Sequence, residues 1–234
     1  MHTVQDSTDR ERTAIRQRSK TSASPAIGGL SISALDHAAK ACVLLACLAP
    51  LLVLCERWLG GGDLDLGTNP VETLTNETGV WSLRLLWVVL IITPLRKWLG
   101  WSWLISLRRQ IALTSFLYGV LHLLIYLVFE MEFDWGDILH DIGKRPFILA
   151  GVLALLIMIP LAITSTNAMI KRLGGRNWKR LHRLTYAAAV LVAFHYLLLV
   201  KQDITRPGIY ILLLALMFVA RLEEKKRPSA SPRS

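Results

Sequence analysis

The sequence predicts an all-α membrane protein, a polytopic bundle of six transmembrane helices with both termini in the cytoplasm. Three observations lead to this prediction: the composition, the spacing of the apolar segments and the placement of charge. Of the 234 residues, 53% are hydrophobic and 19% are charged, whereas soluble domains average about 45–50% and about 25%. The mean hydropathy of +0.43 agrees. A net charge of +10 would by itself suggest a nucleic-acid partner, so the positions of the basic residues must decide.

Six apolar segments follow a polar N-terminal stretch, and each is close to the length that crosses a hydrocarbon layer of about 30 Å. The second segment is the least regular, because Arg84 lies near its start and Pro94 near its end. Their approximate ranges are 38–56, 81–95, 110–130, 147–166, 183–200 and 208–222. The predicted domains are therefore a disordered cytoplasmic tail, 1–36, a transmembrane domain, 37–223, and a short cytoplasmic tail, 224–234.

The charges alternate from one flank of these segments to the next. With the N-terminal tail inside, 21 of the 27 basic residues fall on inner flanks and five on outer loops, while most acidic residues fall outside. This is the positive-inside pattern of a multi-pass membrane protein. The surplus of positive charge is therefore an orientation signal, and lipid, not nucleic acid, is the expected surrounding.

The three cysteines, Cys42, Cys47 and Cys55, all lie in the first apolar segment. In such a position a thiol behaves as a small hydrophobic group. No C-x-x-C-H sequence occurs, so covalent attachment of a c-type haem is excluded.

Two histidines lie inside apolar segments, where a lone polar side chain suggests a function. His122 follows Arg109, at the inner surface, by 13 residues, and His195 follows His182 by 13 residues. Both therefore lie about 20 Å from the inner surface. Equal depth on the third and fifth helices predicts axial ligation of one haem iron, and a hydrogen bond between helices is the alternative. Ser115 and Gly119 share the face of His122 and would leave room for a flat ring.

His182, at the inner end of the fifth segment, is an alternative or additional haem ligand. It is about 140° from His195 around a straight helix, so the two need not face the same partner. A second haem near the inner side would also need a ligand early in the third helix, where Arg108 and Arg109 stand instead.

Four stretches of the sequence resemble the ferric-reductase-like transmembrane family, and the likeness covers about residues 38–222. Within that family the chain is similar to the haem-binding membrane subunits of bacterial methionine sulfoxide reductase systems. The most specific parts are TSTNAM, the following WKRLHRLTY, and the LH and HY positions of the third and fifth helices. The stretches are LLWVVLIITPLRKW, SLRRQIALTSFLYGVLHLLIYLVFE, KRPFILAGVLALLIMIPLAITSTNAMIKRLGGRNWKRLHRLTY and AFHYLLLVK.

This resemblance implies a protein of the bacterial inner membrane that binds haem b and FMN, with His122, His182 and His195 as the haem histidines. It also implies electron transfer from the respiratory quinone pool to a periplasmic molybdopterin subunit, the partner in a heterodimer. That partner would reduce methionine sulfoxide in oxidised periplasmic proteins, so no catalytic residue is predicted in this chain. Two alternatives remain open: a stand-alone ferric-reductase-like haem protein with another outer acceptor, and a non-redox transporter or scaffold.

Overall fold

The computed structural model describes residues 32–60, 66–101, 103–200 and 204–226. Within those ranges all regular structure is helical, which confirms the predicted all-α class. The predicted tails fall largely in residues 1–31 and 227–234, outside the described residues. The helices are α1 (Ile32–Gly60), α2 (Pro70–Leu99), α3 (Leu104–Ile125), a π-helical turn (Tyr126–Glu130), α4 (Trp135–Lys144), α5 (Pro146–Ile163), α6 (Asn167–Leu173), α7 (Gly175–Leu181), α8 (Leu184–Leu199) and α9 (Thr205–Lys226).

Five stretches of the described residues are long and apolar enough to cross a membrane, which supports a multi-pass membrane protein. They are Asp36–Gly60, Pro70–Arg96, Leu104–Glu130, Pro146–Ile163 and Gly175–Leu199. The predicted sixth segment, 208–222, lies within α9, which is not among the five. A count of six and the cytoplasmic placement of the termini therefore stay predictions.

The chain divides into two units, residues 1–42 and residues 43–234. In the first unit the described residues form the start of α1, where Lys40 is paired with Asp36 one helical turn earlier. The second unit contains the helical bundle described below.

Helix α2 is the centre of the bundle, because it is buried on two sides. On one side Val89 packs with Ile111 of α3. On the other side Leu90 packs with Ala193 of α8 and Met217 of α9. Ala189 and Ala193 of α8 are both buried in this contact, and small residues of this kind are common where helices pack within a membrane.

A pair of serines joins α2 to α3, at a point on α3 seven residues before His122. Ser82 Oγ donates to the backbone carbonyl of Ser115 at 2.9 Å, and Ser115 Oγ donates to that of Ser82 at 2.8 Å. Polar contacts of this kind hold membrane helices together at about 0.6 kcal/mol each. Ser115 is fully buried in this contact, so it serves helix packing and does not line the space that the sequence assigned to its face.

The start of α2 differs from the sequence prediction, which began the second segment at residue 81. The helix begins at Pro70, because the Asn69 side chain accepts a hydrogen bond from the backbone N–H of Glu72 and proline is favoured in the first turn. Glu72 and Glu77, predicted in an outer loop, therefore lie on this helix. A prediction from hydropathy starts this segment too late, since the first turns of α2 are polar.

Four helices form a ring around a central space. Helix α2 packs on α3, α3 on α5, α5 on α8, and α8 on α2. Helices α3 and α8 are therefore diagonal to each other, and side chains on their inner faces can meet only across the middle of the ring. The two intramembrane histidines lie on this diagonal pair.

Candidate functional site

His122 on α3 and His195 on α8 face each other across the central space. Their ring centroids are 6.0 Å apart and their planes are inclined at 83°. Both rings line one cavity of about 340 Å³, within the size range typical of cofactor and ligand pockets, about 300–1,000 Å³. The sequence-based expectation that these two residues share a depth and a site thus has a structural counterpart.

Each histidine is held by a backbone carbonyl of a neighbouring helix. His122 Nδ1 lies 2.8 Å from the carbonyl oxygen of Thr75 on α2, and His195 Nδ1 lies 2.7 Å from that of Phe147 on α5. A carbonyl can only accept, so each ring carries its proton on Nδ1 and donates it. The other nitrogen, Nε2, then keeps its lone pair, which is the tautomer that metal-ligating histidines adopt.

A glycine stands beside each of these rings. A Cβ atom added to Gly79 would come within 3.0 Å of His122 Nδ1, and one added to Gly151 would come within 2.9 Å of His195 Nδ1. Both distances are shorter than an ordinary contact between heavy atoms, about 3.5–4.0 Å. Only glycine therefore leaves room for the two imidazoles in their observed positions.

The cavity is mostly apolar, and its charged residues lie at one end. Its apolar walls come from all four helices of the ring, and they include Leu83, Leu123, Leu155, Met158 and Val192. Glu72, Glu130 and Arg145 lie at the end near the π-helical turn and α4. Arg145 is the one basic residue among the described residues that line this cavity, and its Nε lies 3.2 Å from Asp141 Oδ1.

The separation of the two rings fits axial ligation of a single metal ion. A metal–imidazole bond is about 2 Å long, and the ring centroid lies about 1 Å beyond the nitrogen, so two imidazoles on opposite sides of one ion have centroids about 6 Å apart. The observed separation is 6.0 Å. Among the described residues neither Nε2 atom has a hydrogen-bond partner. An apolar cavity with two such nitrogens suits a flat, largely apolar macrocycle such as haem.

His182 is not brought into this site. It lies between α7 and α8, where its Nε2 is 3.1 Å from Thr164 Oγ1 and its ring stacks on Trp178 at 4.0 Å between centroids. Trp178 Nε1 in turn donates to the backbone carbonyl of Thr164. Arg108 interacts with the His182 ring electrostatically. His182 thus belongs to a separate polar cluster at the opposite end of α8 from His195.

Four further residues of the site could not be found from sequence: Thr75, Phe147, Gly79 and Gly151. The first two act through backbone carbonyls, whose use depends on which helix packs against them and leaves no mark on residue type. The two glycines do carry a signal, because a glycine inside an apolar helix is unfavourable and suggests close approach of another group. That signal does not identify the approaching group until the packing of the helices is known.

Comparison with known proteins identifies the family. Residues 78–193 match the family described as ferric reductase like transmembrane component. The protein-methionine-sulfoxide reductase heme-binding subunit MsrQ of Rhodospirillum rubrum is 43% identical over 207 residues, covering 88% of this chain and 98% of that protein. The chain belongs to the MsrQ family. The MsrQ of Azospira oryzae is 46% identical over 191 residues, covering 81% of each chain.

The family match covers several of the helices that form the site. The matched segment 78–193 begins just before Gly79 and includes His122 and Gly151. It ends two residues before His195, while the likeness to the Caulobacter vibrioides MsrQ, 44% identical, extends over 188 residues, or 80% of this chain and 88% of that protein. The resemblance recognised from sequence motifs is thereby confirmed.

Proposed function

We propose that this chain is the haem-b-binding, inner-membrane electron-transfer subunit of a methionine sulfoxide repair system. It takes electrons from the respiratory quinone pool and passes them to a periplasmic molybdopterin subunit, its partner in a heterodimer. The observation that carries the proposal is the pair His122 and His195, opposed at 6.0 Å between centroids in an apolar cavity. Membership of the MsrQ family supports it, because the relatives from Rhodospirillum rubrum and Azospira oryzae are named heme-binding subunits.

In this proposal His122 and His195 would hold the haem iron through Nε2, and the haem would supply one-electron redox chemistry. The Thr75 and Phe147 carbonyls fix the tautomer of each ring and raise its basicity by accepting the Nδ1 proton. The apolar walls exclude water, which restricts exchange of protons and keeps the local dielectric low. The chain would thus bind the haem, orient it and shield it from water, and the reduction of the sulfoxide would take place on the partner.

Arg145 would pair with a carboxylate of the cofactor. Haem carries two propionates, and this guanidinium stands at the outer end of the cavity beside Glu72 and Glu130. Its side chain is 55% exposed, so solvent screens the interaction, and its contribution is about 0.2–1 kcal/mol. Its main effect is then to turn the polar edge of the cofactor outward.

The cavity lies at the outer end of the bundle, next to the π-helical turn and α4. On the charge-based orientation this is the periplasmic side. A haem held there would be close to an acceptor in the periplasm, while the donor would have to reach it from within the membrane. The quinone pool meets that condition, since quinones are confined to the lipid phase.

The family resemblance also implies FMN as a second cofactor, with no assigned residues, and His182 as an alternative or additional haem ligand. Its ring is already engaged by Thr164 and Trp178, so ligation there would require the Thr164 contact to be given up.

The proposal is tested by the optical spectrum of the purified full-length protein in detergent, with haem and flavin quantified per chain. We expect a Soret band typical of six-coordinate haem b, and its loss in His122→Ala and in His195→Ala. His140→Ala is the matched control, because His140 is exposed on α4 outside the haem cavity. Wild-type protein without a Soret band, or full haem content in both alanine variants, would exclude the proposal and favour the transporter or scaffold alternative.

A further inference from the structure

The two histidine supports have the same construction although they lie on different helices. Thr75, whose carbonyl faces His122, precedes Gly79 by four residues on α2. Phe147, whose carbonyl faces His195, precedes Gly151 by four residues on α5. In an α-helix residues four apart lie one above the other on the same face. Each imidazole therefore lies beside a glycine, nearest to it at Nδ1 and Cε1, while Nδ1 donates to the carbonyl one turn away.

The backbone conformation requires glycine at neither position. Both lie inside helices and neither has a positive φ, the conformation that usually calls for glycine. In such a position glycine destabilises a helix by about 0.5–1 kcal/mol relative to alanine. Its presence is explained by the ring above it, since the added Cβ would lie 3.0 Å from His122 Nδ1 or 2.9 Å from His195 Nδ1.

We propose that Gly79 and Gly151 are positioning residues that let each imidazole reach its carbonyl and so set the orientation of both axial ligands. The inference rests on the proposed haem site, but its geometric part concerns this chain alone. Alanine at either position would push the ring away from the carbonyl and rotate it about Cβ. The Nδ1–H···O bonds of 2.8 and 2.7 Å would then lengthen or break.

Two consequences follow for a haem held by these rings. The imidazole planes, now inclined at 83°, would change their relative angle, to which the g-anisotropy of low-spin ferric haem is sensitive. The ligands would also become less basic as their Nδ1–H bonds weaken, which disfavours the ferric state and raises the reduction potential.

The spectroscopic test compares Gly79→Ala and Gly151→Ala with the wild type as full-length, haem-loaded protein. We expect altered EPR g-values and an upward shift of the midpoint potential, or loss of haem where the ring can no longer reach the iron. Gly143→Ala on α4 is the control, because an added Cβ there meets no atom within 4 Å. Wild-type g-values and potential in both cavity variants would overturn the proposal.

A second test needs no haem and covers variants that fold poorly. If Gly79 serves only to clear the His122 ring, Gly79→Ala lowers the Tm of the wild type but raises it in a His122→Ala background, where the ring is gone and alanine is the better helix former. The same cycle applies to Gly151 and His195. A Tm change of the same sign and size in both backgrounds would show that the glycines do not act through the histidines. If instead the cycle holds while the protein binds no haem, the positioning role stands and the proposed function fails.

Discussion

At the residue scale, Tyr118 shows how a single hydroxyl can complete a helix that proline has weakened. Pro50 lies inside α1 and cannot donate a backbone hydrogen bond. Next to it, Tyr118 Oη of α3 donates to the carbonyl of Cys47 and accepts from the N–H of Leu51, each at 3.0 Å. These two groups would bond to each other in an uninterrupted helix, so the hydroxyl is inserted between them.

We expect Tyr118→Phe to destabilise the protein by about 1–3 kcal/mol, the cost of leaving buried polar groups without a partner. Tyr118 is fully buried, so water cannot replace the lost hydroxyl. The measurement is thermal unfolding in detergent, with Tyr186→Phe as control, because that change keeps the ring that lies under the Arg221 guanidinium. An unchanged Tm for Tyr118→Phe would mean that α1 closes its own hydrogen bond.

The same residues show which features of the site can be predicted from sequence and which cannot. The shared depth of His122 and His195 follows from counting residues along apolar segments, and the structure places the two rings together. Ser115 has the expected position on its helix, but its hydroxyl donates to the backbone carbonyl of Ser82 and does not line the cavity. The carbonyls of Thr75 and Phe147 could not be predicted, because every residue carries a carbonyl and only packing selects one.

At the scale of elements, the break between α7 and α8 decides the role of His182. Helix α7 ends at Leu181 and α8 begins at Leu184. The angle of about 140° between His182 and His195, which assumes one straight helix, therefore does not apply. His182 Nε2 instead meets Thr164 Oγ1 at the end of α5, and its ring stacks on Trp178. These contacts join the end of α5 to α7 and to the start of α8.

From this placement we expect His182→Ala to keep the haem held by His122 and His195, with its Soret band and midpoint potential within error of the wild type. The reason is that His182 is not among the residues lining their cavity. Haem quantification per chain and a redox titration check this, and a fall in haem content to about half would identify His182 as the ligand of a second haem. Complete loss of haem would contradict the separation of the two sites.

Element boundaries were the least predictable feature. Helix α2 starts at Pro70, eleven residues before the predicted start at 81. The apolar signal fades where the helix becomes polar, yet its capping residue and its proline define the start. Helix α4 was not predicted at all, although Asp134 caps it by accepting from the N–H groups of Gly136 and Asp137. A helix of 10 residues such as α4 lacks the long apolar run on which the prediction depends.

At the scale of the whole molecule, class and orientation are both inferred from sums over many residues. Five apolar spans are present among the described residues, and 21 of 27 basic residues fall on one set of flanks. No single substitution would reverse either sum. The orientation matters for the proposed function, because the cavity of His122 and His195 lies at one end of the bundle and its side of the membrane sets where electrons would leave.

The orientation is tested by cysteine labelling. Cys42, Cys47 and Cys55 are first replaced by alanine, since two of them are exposed. Asp137→Cys on α4 and Lys171→Cys on α6 then mark the two ends of α5, which at 18 residues separates them by about 27 Å. Both positions are exposed, so a membrane-impermeant maleimide can reach either one if it is on the accessible side.

We expect Asp137→Cys to be labelled in intact spheroplasts and Lys171→Cys only after the membrane is permeabilised. This follows from the basic residues around α6 and α7, which favour the cytoplasmic side, and the acidic residues around α4, which do not. The reverse pattern would put the cavity of His122 and His195 on the cytoplasmic side. Electrons from that cavity would then have to cross the length of α5 to reach a periplasmic acceptor, and transfer to a periplasmic partner would lose its structural basis.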